Sequence, residues 1–239
     1  MLKLYSICSG SSGNAFLIQT KDSLIQIDCG GNKKQLLNFY QKYNINYHNI
    51  DLLLLTHNHN DHISQLSLYK DHTIYSYDHI EYNYHKIKPL KLINYKDISI
   101  LPIVLSHDTM IVGYIIKYNN EKLIYITDTG YIKEEYLELF KDSNYIIIES
   151  NYDINLLMNS NRPLYLKQRI LSDTGHLSNE QTLNIINRII NHNTKVLWFA
   201  HISQECNDTN IIIDSIKNIK YNIDIKCLKQ QEETIWEKE

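Results

Sequence analysis

The feature that most constrains the fold is the segment LLLLTHNHNDHI at residues 52–63, where an apolar run stops abruptly and a polar cluster follows. A short continuous apolar run such as Leu52 to Leu55 is typical of a buried strand. The cluster after it holds three histidines and one aspartate, namely His57, His59, Asp61 and His62. The pattern predicts a loop at the carboxyl end of a buried strand, where open sheets tend to place their ligand sites.

The residue types in this loop favour a metal site over the alternative, an ordinary polar loop in a histidine-containing chain. Neutral imidazole is the commonest metal ligand in proteins. The spacing differs from the metalloprotease helix motif, in which two histidines lie four residues apart. His57 and His59 are two residues apart and so can share one ion. Asp61 and His62 are adjacent and can turn towards a second ion.

Length and composition are those of a globular protein, and 239 residues predict a single domain over residues 1–239. No apolar run approaches the ~18 residues of a membrane helix, and the amino terminus lacks the apolar region of a signal peptide. The four cysteines form no CxxC pair, which predicts reduced thiols in a cytoplasmic protein without a membrane partner. The net charge of −3 gives no general attraction to nucleic acid, so nucleic-acid binding needs a local basic patch.

Other predicted strands also end in side chains that can bind a metal or orient its ligands. Together with His57, these strand ends are Asp28, His107, Asp128, Glu149 and His201. Their number predicts that one edge of a sheet pair converges on one site. These groups can form two divalent-metal sites. The first ion would be held by His57, His59 and His107 and the second by Asp61, His62 and His201, with Asp128 bridging both. The nitrogen and oxygen donors suit Zn, Mn or Fe without selecting among them, and two such ions can share a hydroxide for hydrolysis.

Four short motifs, THNHNDH, SHD, TDTG and AHIS, resemble those of the metallo-β-lactamase-fold superfamily. With SGSSGN, DCGG, ESN and ILSDTGHLSNE, the chain is similar to a narrower group, the WalJ/YycJ-type hydrolases of low-GC bacteria. The resemblance implies an α/β (α+β) fold, a four-layer αββα sandwich of two mixed sheets with a binuclear site at one edge. It also implies the seven metal ligands given above, and a nuclease with proposed 5′-to-3′ exonuclease activity on DNA.

The resemblance implies catalytic roles for Asp61, His176 and Glu149. His176 matches a histidine that faces the substrate phosphate in related members, and Glu149 matches an acidic residue that orients it. The alternative for His176 is a histidine at a helix start that faces solvent. The chain departs from the family pattern at Asn58, Asn60, Ser64 and Tyr152, none of which removes a ligand.

The sequence leaves two interpretations open for each of two further features. The SGSSGN turn at residues 9–14 either binds a terminal phosphate through its backbone N–H groups or is a tight turn packed under the metal loop. For Asp28, a hydrogen bond to the histidine cluster is favoured over metal ligation.

Basic and aromatic residues in two segments are candidates for steering DNA and stacking on its bases, although a lysine-rich stretch is more often a solvated face. They are Lys86, Lys88, Lys91, Lys96, Arg162, Lys167 and Arg169, interleaved with Tyr82, Tyr84, Tyr95 and Tyr165.

Predicted elements outside the motifs include a helix from Ile63 to Tyr69, a helix at 162–171 and a helix at 179–191 that Ser178 caps. A turn at Asn119-Asn120 should join two strands, and the last strand should lie near 223–228.

The leading hypothesis is a binuclear metal-dependent phosphodiesterase that acts as an exonuclease, with DNA favoured over RNA. The alternative is a small-molecule hydrolase of the same fold that acts on a thioester, a lactone or a cyclic nucleotide. A third, a binding module without catalysis, is disfavoured by the complete ligand set. These patterns imply no particular oligomeric state.

Overall fold

The protein is described from a computed structural model, which covers residues 2–237. Its β-strands are β1 (Lys3–Cys8), β2 (Ala15–Gln19), β3 (Leu24–Ile27), β4 (Leu52–Leu54), β5 (Ile74–Ser76), β6 (His85–Lys86), β7 (Ile93–Tyr95), β8 (Ile98–Val104), β9 (Val112–Tyr118), β10 (Glu121–Ile126), β11 (Tyr145–Glu149), β12 (Val196–Ala200), β13 (Asp224–Cys227) and β14 (Thr234–Glu237). Its α-helices are α1 (Lys33–Lys42), α2 (Asn60–Ile63), α3 (Glu134–Phe140), α4 (Ile154–Asn159), α5 (Leu164–Leu171), α6 (Asn179–Ile189) and α7 (Thr209–Ser215).

The chain divides into two compact units. The first runs up to Pro102 and adds Thr109–Val112 and the segment from Leu228 onwards. The second comprises Ile103–Asp108 and Gly113–Cys227. The single domain over residues 1–239 remains a prediction. Within residues 2–237, no helix is both long enough and apolar enough to cross a membrane.

The sheet of the first unit has the strand order β14-β1-β2-β3-β4-β5-β6. Its first four strands pair antiparallel, whereas β3 to β6 pair in parallel. Helix α1 packs Leu36, Phe39 and Tyr40 into a core that contains Leu53 and Leu55. The mixed sheet brings the carboxyl ends of β3, β4, β5 and β6 to one edge, and the histidine-rich loop begins there.

In the second unit, β10, β11, β12 and β13 are consecutive parallel neighbours, and β9 pairs antiparallel with β10. Tyr118 pairs with Glu121, so the β9–β10 hairpin closes through the predicted Asn119-Asn120 turn. Asn119 has a φ of 52°, the left-handed conformation that two-residue hairpins favour. Because β10, β11 and β12 run in parallel, their carboxyl ends share one edge, and Asp128, Glu149 and His201 lie there.

Helix α6 follows the TGH motif and starts at a well-defined cap. The Ser178 hydroxyl accepts from the Gln181 amide and the Gln181 side chain accepts from the Ser178 amide, so a capping box begins the helix as predicted. The helix buries Ile185, Ile186 and Ile189.

The structure differs from the predicted elements at three places. The helix expected from Ile63 to Tyr69 is instead the short α2 followed by a 3₁₀ turn at Leu66–Tyr69, because the polar residues of the loop itself form the first helical turn. Helix α4 was not predicted; it is only six residues long and starts at an Asp153 cap. The last strand is β14 and not β13, because β14 finds its partner β1 at the other end of the chain.

Candidate metal centre

Three residues at strand ends adopt left-handed backbone conformations that non-glycine residues rarely occupy. They are Asp28 after β3, Asp128 after β10 and His201 after β12, with φ values of 56°, 57° and 51°. Such residues cost on the order of 1–3 kcal/mol each and persist only where the surrounding structure fixes them. All three belong to the polar clusters that the sequence singled out, so the strain lies at the candidate site.

In the first unit, the N-terminal cluster consists of His57, His59, Asp61 and His62. The ring centroid of His57 lies 4.6 Å from that of His59 and 4.1 Å from that of His62. Thr56 anchors the start of this loop, because its amide donates to Asp28 Oδ1 at 2.8 Å and its hydroxyl to Asp28 Oδ2 at 2.8 Å. Asp28 thereby holds the loop against the end of β3.

Asp28 also contacts His62 directly, as the sequence favoured. The Nδ1 atom of His62 lies 2.7 Å from Asp28 Oδ2, and both side chains are fully buried. Burial raises the pKa of Asp28, and the nearby His62 and the hydrogen bonds from His62 and Thr56 oppose that rise. A carboxylate that accepts from Nδ1 leaves Nε2 of the same imidazole as the ligand atom.

The SGSSGN turn packs under this loop, which matches the second of its two predicted roles. The side chain of Asn14 is buried, and its Nδ2 lies 2.9 Å from His62 Nε2 and 3.2 Å from Asp61 Oδ2. The Gly10 amide donates to Asn14 Oδ1 at 2.9 Å, which fixes the orientation of the amide group. Asn14 therefore presents its side-chain N–H groups to Asp61 and His62.

Close backbone contact explains the glycine after Cys29. The Asp61 carbonyl accepts from the Asn14 amide at 2.7 Å. A Cβ atom at Gly30 would lie 1.7 Å from that same carbonyl oxygen. Only glycine allows the backbones of these two segments to approach so closely.

In the second unit, the C-terminal cluster consists of Asp128, Glu149, His176 and His201, with His107 beside it. Glu149 is fully buried, and its Oε1 lies 2.7 Å from His176 Nδ1 and 3.0 Å from His201 Nδ1. Its Oε2 accepts from the backbone amides of Thr129 and Leu177 at 3.0 and 3.2 Å. Burial acts to raise the pKa of Glu149, but His176 and the hydrogen bonds from both histidines outweigh it, so the pKa lies below its ordinary value.

Four potential ligand atoms of this cluster lie within 4.8 Å of one another, one each from Asp128, Glu149, His176 and His201. Glu149 is engaged as a shared acceptor for two imidazole Nδ1 atoms, which fits an orienting role better than ligation. His201 Nε2 then faces Asp128 Oδ1 at 3.3 Å. The Asn151 side chain donates to the His201 carbonyl at 2.7 Å and holds this strained residue.

His107 also has an oxygen atom close to its Nδ1. Its Nδ1 lies 3.2 Å from the carbonyl oxygen of Gly175, and its ring centroid is 5.4 Å from that of His176. Burial lowers the pKa of His107, which favours the neutral imidazole that a metal requires. Next to it, Asp108 is paired with Arg169.

The donor set of both clusters fits a divalent metal. His57, His62, His107 and His201 each place Nδ1 near an oxygen atom, those of Thr56, Asp28, Gly175 and Glu149 respectively. Metal-ligating histidines characteristically donate their other ring N–H to such an acceptor, which sets the tautomer and the ring orientation. Together with the carboxylates of Asp61 and Asp128, these imidazoles are donors that suit Zn, Mn or Fe.

Comparison with known proteins identifies the family. Residues 25–202 match the family model of the β-lactamase superfamily domain. The chain belongs to the β-lactamase superfamily. Two curated relatives are "Exodeoxyribonuclease WalJ" of Streptococcus pneumoniae, 30% identical over 85% of this chain and 82% of the relative, and "Exodeoxyribonuclease YycJ" of Bacillus anthracis, 29% identical over 84% of this chain and 82% of the relative.

Among solved structures, the metallo-β-lactamase fold protein YhfI from Bacillus subtilis superimposes with a TM-score of 0.75 at 15% identity. The match covers 98% of this chain and 99% of YhfI. It confirms the predicted α/β metallo-β-lactamase fold with two mixed sheets.

The basic residues expected to steer DNA in this β-lactamase superfamily member differ in whether they have an acidic partner. Lys96 pairs with Asp51 at 2.5 Å, Arg162 with Glu205 at 2.9 Å, and Arg169 with Asp108. Lys167 donates to the carbonyl oxygens of Met158 and Ser160 at the end of α4. Lys86, Lys88 and Lys91 are exposed. Acidic partners thus neutralise three of the seven candidates.

The aromatic candidates separate in the same way. Tyr82 and Tyr84 are half-buried and pack against the core of the first unit, so part of each ring is unavailable to bases. Tyr95 is half-buried and donates to Asp51 at 3.1 Å. Tyr165 on α5 is 72% exposed. The interleaved pattern in the sequence did not show which rings the core takes up.

Sequence reasoning missed the contributions of Asn14, Thr56 and Asn151. Asn14 contacts Asp61 and His62 only because the chain returns 47 residues later, and a single sequence carries no sign of that return. The position of Thr56 directly before the first histidine was a usable signal, because Asp28 was already expected behind the cluster.

Proposed function

We propose that this chain is a metal-dependent exodeoxyribonuclease that hydrolyses DNA phosphodiesters. The observation that carries the proposal is the Glu149–His176 contact beside Asp128, a polar group poised for an anionic substrate. The two curated relatives, both described as exodeoxyribonucleases, favour DNA over RNA and over a thioester or lactone. A DNA substrate agrees with the expected cytoplasmic location.

The proposed ligands are the seven predicted from the sequence, and the proposed ions are two divalent metals. Support comes from the Nδ1 contacts and carboxylates within each cluster, and from a family match that spans all seven positions. The ligands are His57, His59, Asp61, His62, His107, Asp128 and His201. The chemistry that bound divalent ions supply at such a site is the acidification of water and the neutralisation of phosphate charge.

His176 acts on the substrate in this proposal and not on the metal. Its Nδ1 donates to the buried Glu149 carboxylate, which fixes the ring and leaves Nε2 for the substrate. In the imidazolium form, which carries protons on both ring nitrogens, an Nε2–H group hydrogen-bonded to a phosphate oxygen stabilises the charge that develops as the phosphodiester is attacked. The same atom can deliver its proton to the leaving oxygen.

The test is degradation of end-labelled duplex DNA by purified protein loaded with Mn or Zn. We expect shortening of the labelled strand that requires the metal and that is lost in Asp128→Ala. Matched RNA, a thioester and a lactone are assayed separately as alternative substrates. Rapid thioester or lactone hydrolysis without cleavage of DNA by the same metal-loaded preparation would overturn the proposal.

A further inference from the structure

The segment KPLKL at residues 88–92, here called the 88–92 turn, exposes apolar and basic side chains side by side. Leu90 is 57% exposed and Leu92 is 50% exposed, and Lys88 and Lys91 are exposed as well. The turn is held by backbone hydrogen bonds from Leu90 to Pro102 at 2.8 Å and from Lys91 to Lys88 at 3.1 Å. The two leucines therefore face solvent on an ordered piece of backbone.

Neither packing nor backbone preference accounts for a leucine at position 90. Its φ is 60°, in the left-handed region where a bulky residue is an outlier. The side chain gains little burial in exchange. A glycine would relieve the backbone, and a polar residue would suit the solvent, so the leucine is placed as a contact residue would be.

The positive charge beside these leucines is uncompensated. Within residues 2–237, neither Lys88 nor Lys91 has an acidic partner, in contrast to Lys96, which pairs with Asp51. Lys86 donates to the backbone carbonyl of Tyr77, which leaves its charge in place. A partner with negative charge and flat apolar faces complements this surface, and nucleic acid combines the two.

Strand register places the turn at the functional edge of the first sheet. β4, β5 and β6 are parallel neighbours, with Leu54 opposite Tyr75 and Tyr75 opposite His85. The histidine-rich loop leaves the carboxyl end of β4, and the 88–92 turn follows the carboxyl end of β6. Two strand spacings separate these ends, about 10 Å.

We propose that the 88–92 turn is a DNA-binding element. Lys88 and Lys91 bind backbone phosphates, and Leu90 and Leu92 pack against base faces exposed at a frayed or single-stranded end. Apolar side chains insert against bases in this way in other DNA-binding proteins. The choice of DNA rests on the proposed function, whereas the charge and the apolar exposure do not.

The first experiment measures binding without catalysis. Metal-free protein in chelator is titrated into a fluorescent duplex with a single-stranded overhang, and anisotropy is followed at several salt concentrations. Each lost phosphate contact reduces the log–log salt slope by about 0.9 on duplex and about 0.7 on single-stranded DNA, so Lys88→Gln/Lys91→Gln should reduce it by about 1.4–1.8. The matched control is Lys21→Gln/Lys70→Gln, which removes the same charge at the amino ends of β3 and β5, the opposite edge of the same sheet.

The second experiment uses Leu90→Gly. Relief of the left-handed strain should keep or raise the thermal unfolding temperature, while the affinity for the overhang substrate falls several-fold. A binding defect caused by misfolding would instead accompany a lower unfolding temperature. Leu139→Ala, at a partly exposed leucine on α3, is the control and should bind DNA as the parent does.

The outcomes separate this inference from the proposed function. A parent protein that degrades DNA, with turn variants that bind and degrade it equally well, overturns the inference alone. DNA binding that depends on the turn, without any nuclease activity, supports the inference and overturns the proposed function. Turn-dependent binding to anionic phospholipid vesicles, with no binding to DNA, overturns the choice of partner and with it the inference.

Discussion

Both ring nitrogens of His62 have polar side-chain partners. Asp28 lies at its Nδ1 and the Asn14 amide group lies at its Nε2, each within 3 Å. The amide that faces Nε2 also faces the Asp61 carboxylate. Asp28 selects the tautomer whose Nε2 lone pair can bind a metal, and a metal would take that lone pair over from the Asn14 amide. Asn14 keeps its contact with the Asp61 carboxylate and orients this second predicted ligand.

Asn14→Ala should therefore weaken metal binding. The outer partners of metal ligands typically contribute 10–100-fold in affinity, so we expect a loss of about that size. Competition with a coloured chelator measures it. Ser12→Ala is the control, because Ser12 lies in the same turn but bonds to Gln230 at the exposed surface. Parental metal affinity in Asn14→Ala, with the fold intact by circular dichroism, would contradict this role.

His176→Ala should separate chemistry from metal binding. Removal of a general acid typically costs about 10²–10⁴-fold in rate, so DNA cleavage should fall by that order while the metal content stays unchanged. Asp128→Ala should lose metal and activity together. Elemental analysis alongside the cleavage assay distinguishes the two variants. Loss of metal from His176→Ala would show that His176 is itself a ligand.

At the level of single residues, the sequence indicated which polar residues cluster better than it indicated the side chains around them. A hydrogen bond from the histidine cluster to Asp28 was expected, and the structure places it at His62. The contact of Asn14 with the same histidine was not expected, since it depends on how the SGSSGN turn folds back under the loop. Which tyrosines of the central segment pack into the core was equally hidden.

Among the elements that the sequence did not reveal, β14 has the most distant partner. Its four residues pair antiparallel with β1, with Leu4 opposite Trp236 and Tyr5 opposite Ile235. Buried strands such as β11 can be predicted from an unbroken apolar run, which β14 lacks. Its pairing joins the two ends of the described chain, and no local pattern encodes so distant a partner.

A chain that ends after Gln231 should therefore be less stable. It loses the half-buried Ile235 and Trp236 and exposes the edge of β1, a change that we expect to lower the free energy of unfolding by about 2 kcal/mol or more. Urea unfolding followed by circular dichroism measures the difference. A chain that ends after Glu237 is the control. Equal midpoints for the two chains would show that β14 adds no stability.

For the whole molecule, metal should act as a stabilising ligand, because both clusters form only in the folded chain. A ligand that binds the folded state alone adds about 2.7 kcal/mol at a hundred times its dissociation constant. Mn or Zn should therefore raise the unfolding temperature of chelator-treated protein, and Asp128→Ala should show a much smaller rise. An identical rise in both proteins would point to metal binding elsewhere.

The left-handed residues Asp28, Asp128 and His201 bear on how such a protein can evolve. Glycine would suit these three backbone positions better than the residues that occupy them. In chelator, selection for resistance to heat alone should therefore replace Asp128 by glycine and yield stable but inactive proteins. Asp28 and His201 should persist, because their buried hydrogen bonds to Thr56, His62 and Glu149 offset the backbone strain. Stability and activity thus conflict at Asp128 and agree at the other two positions.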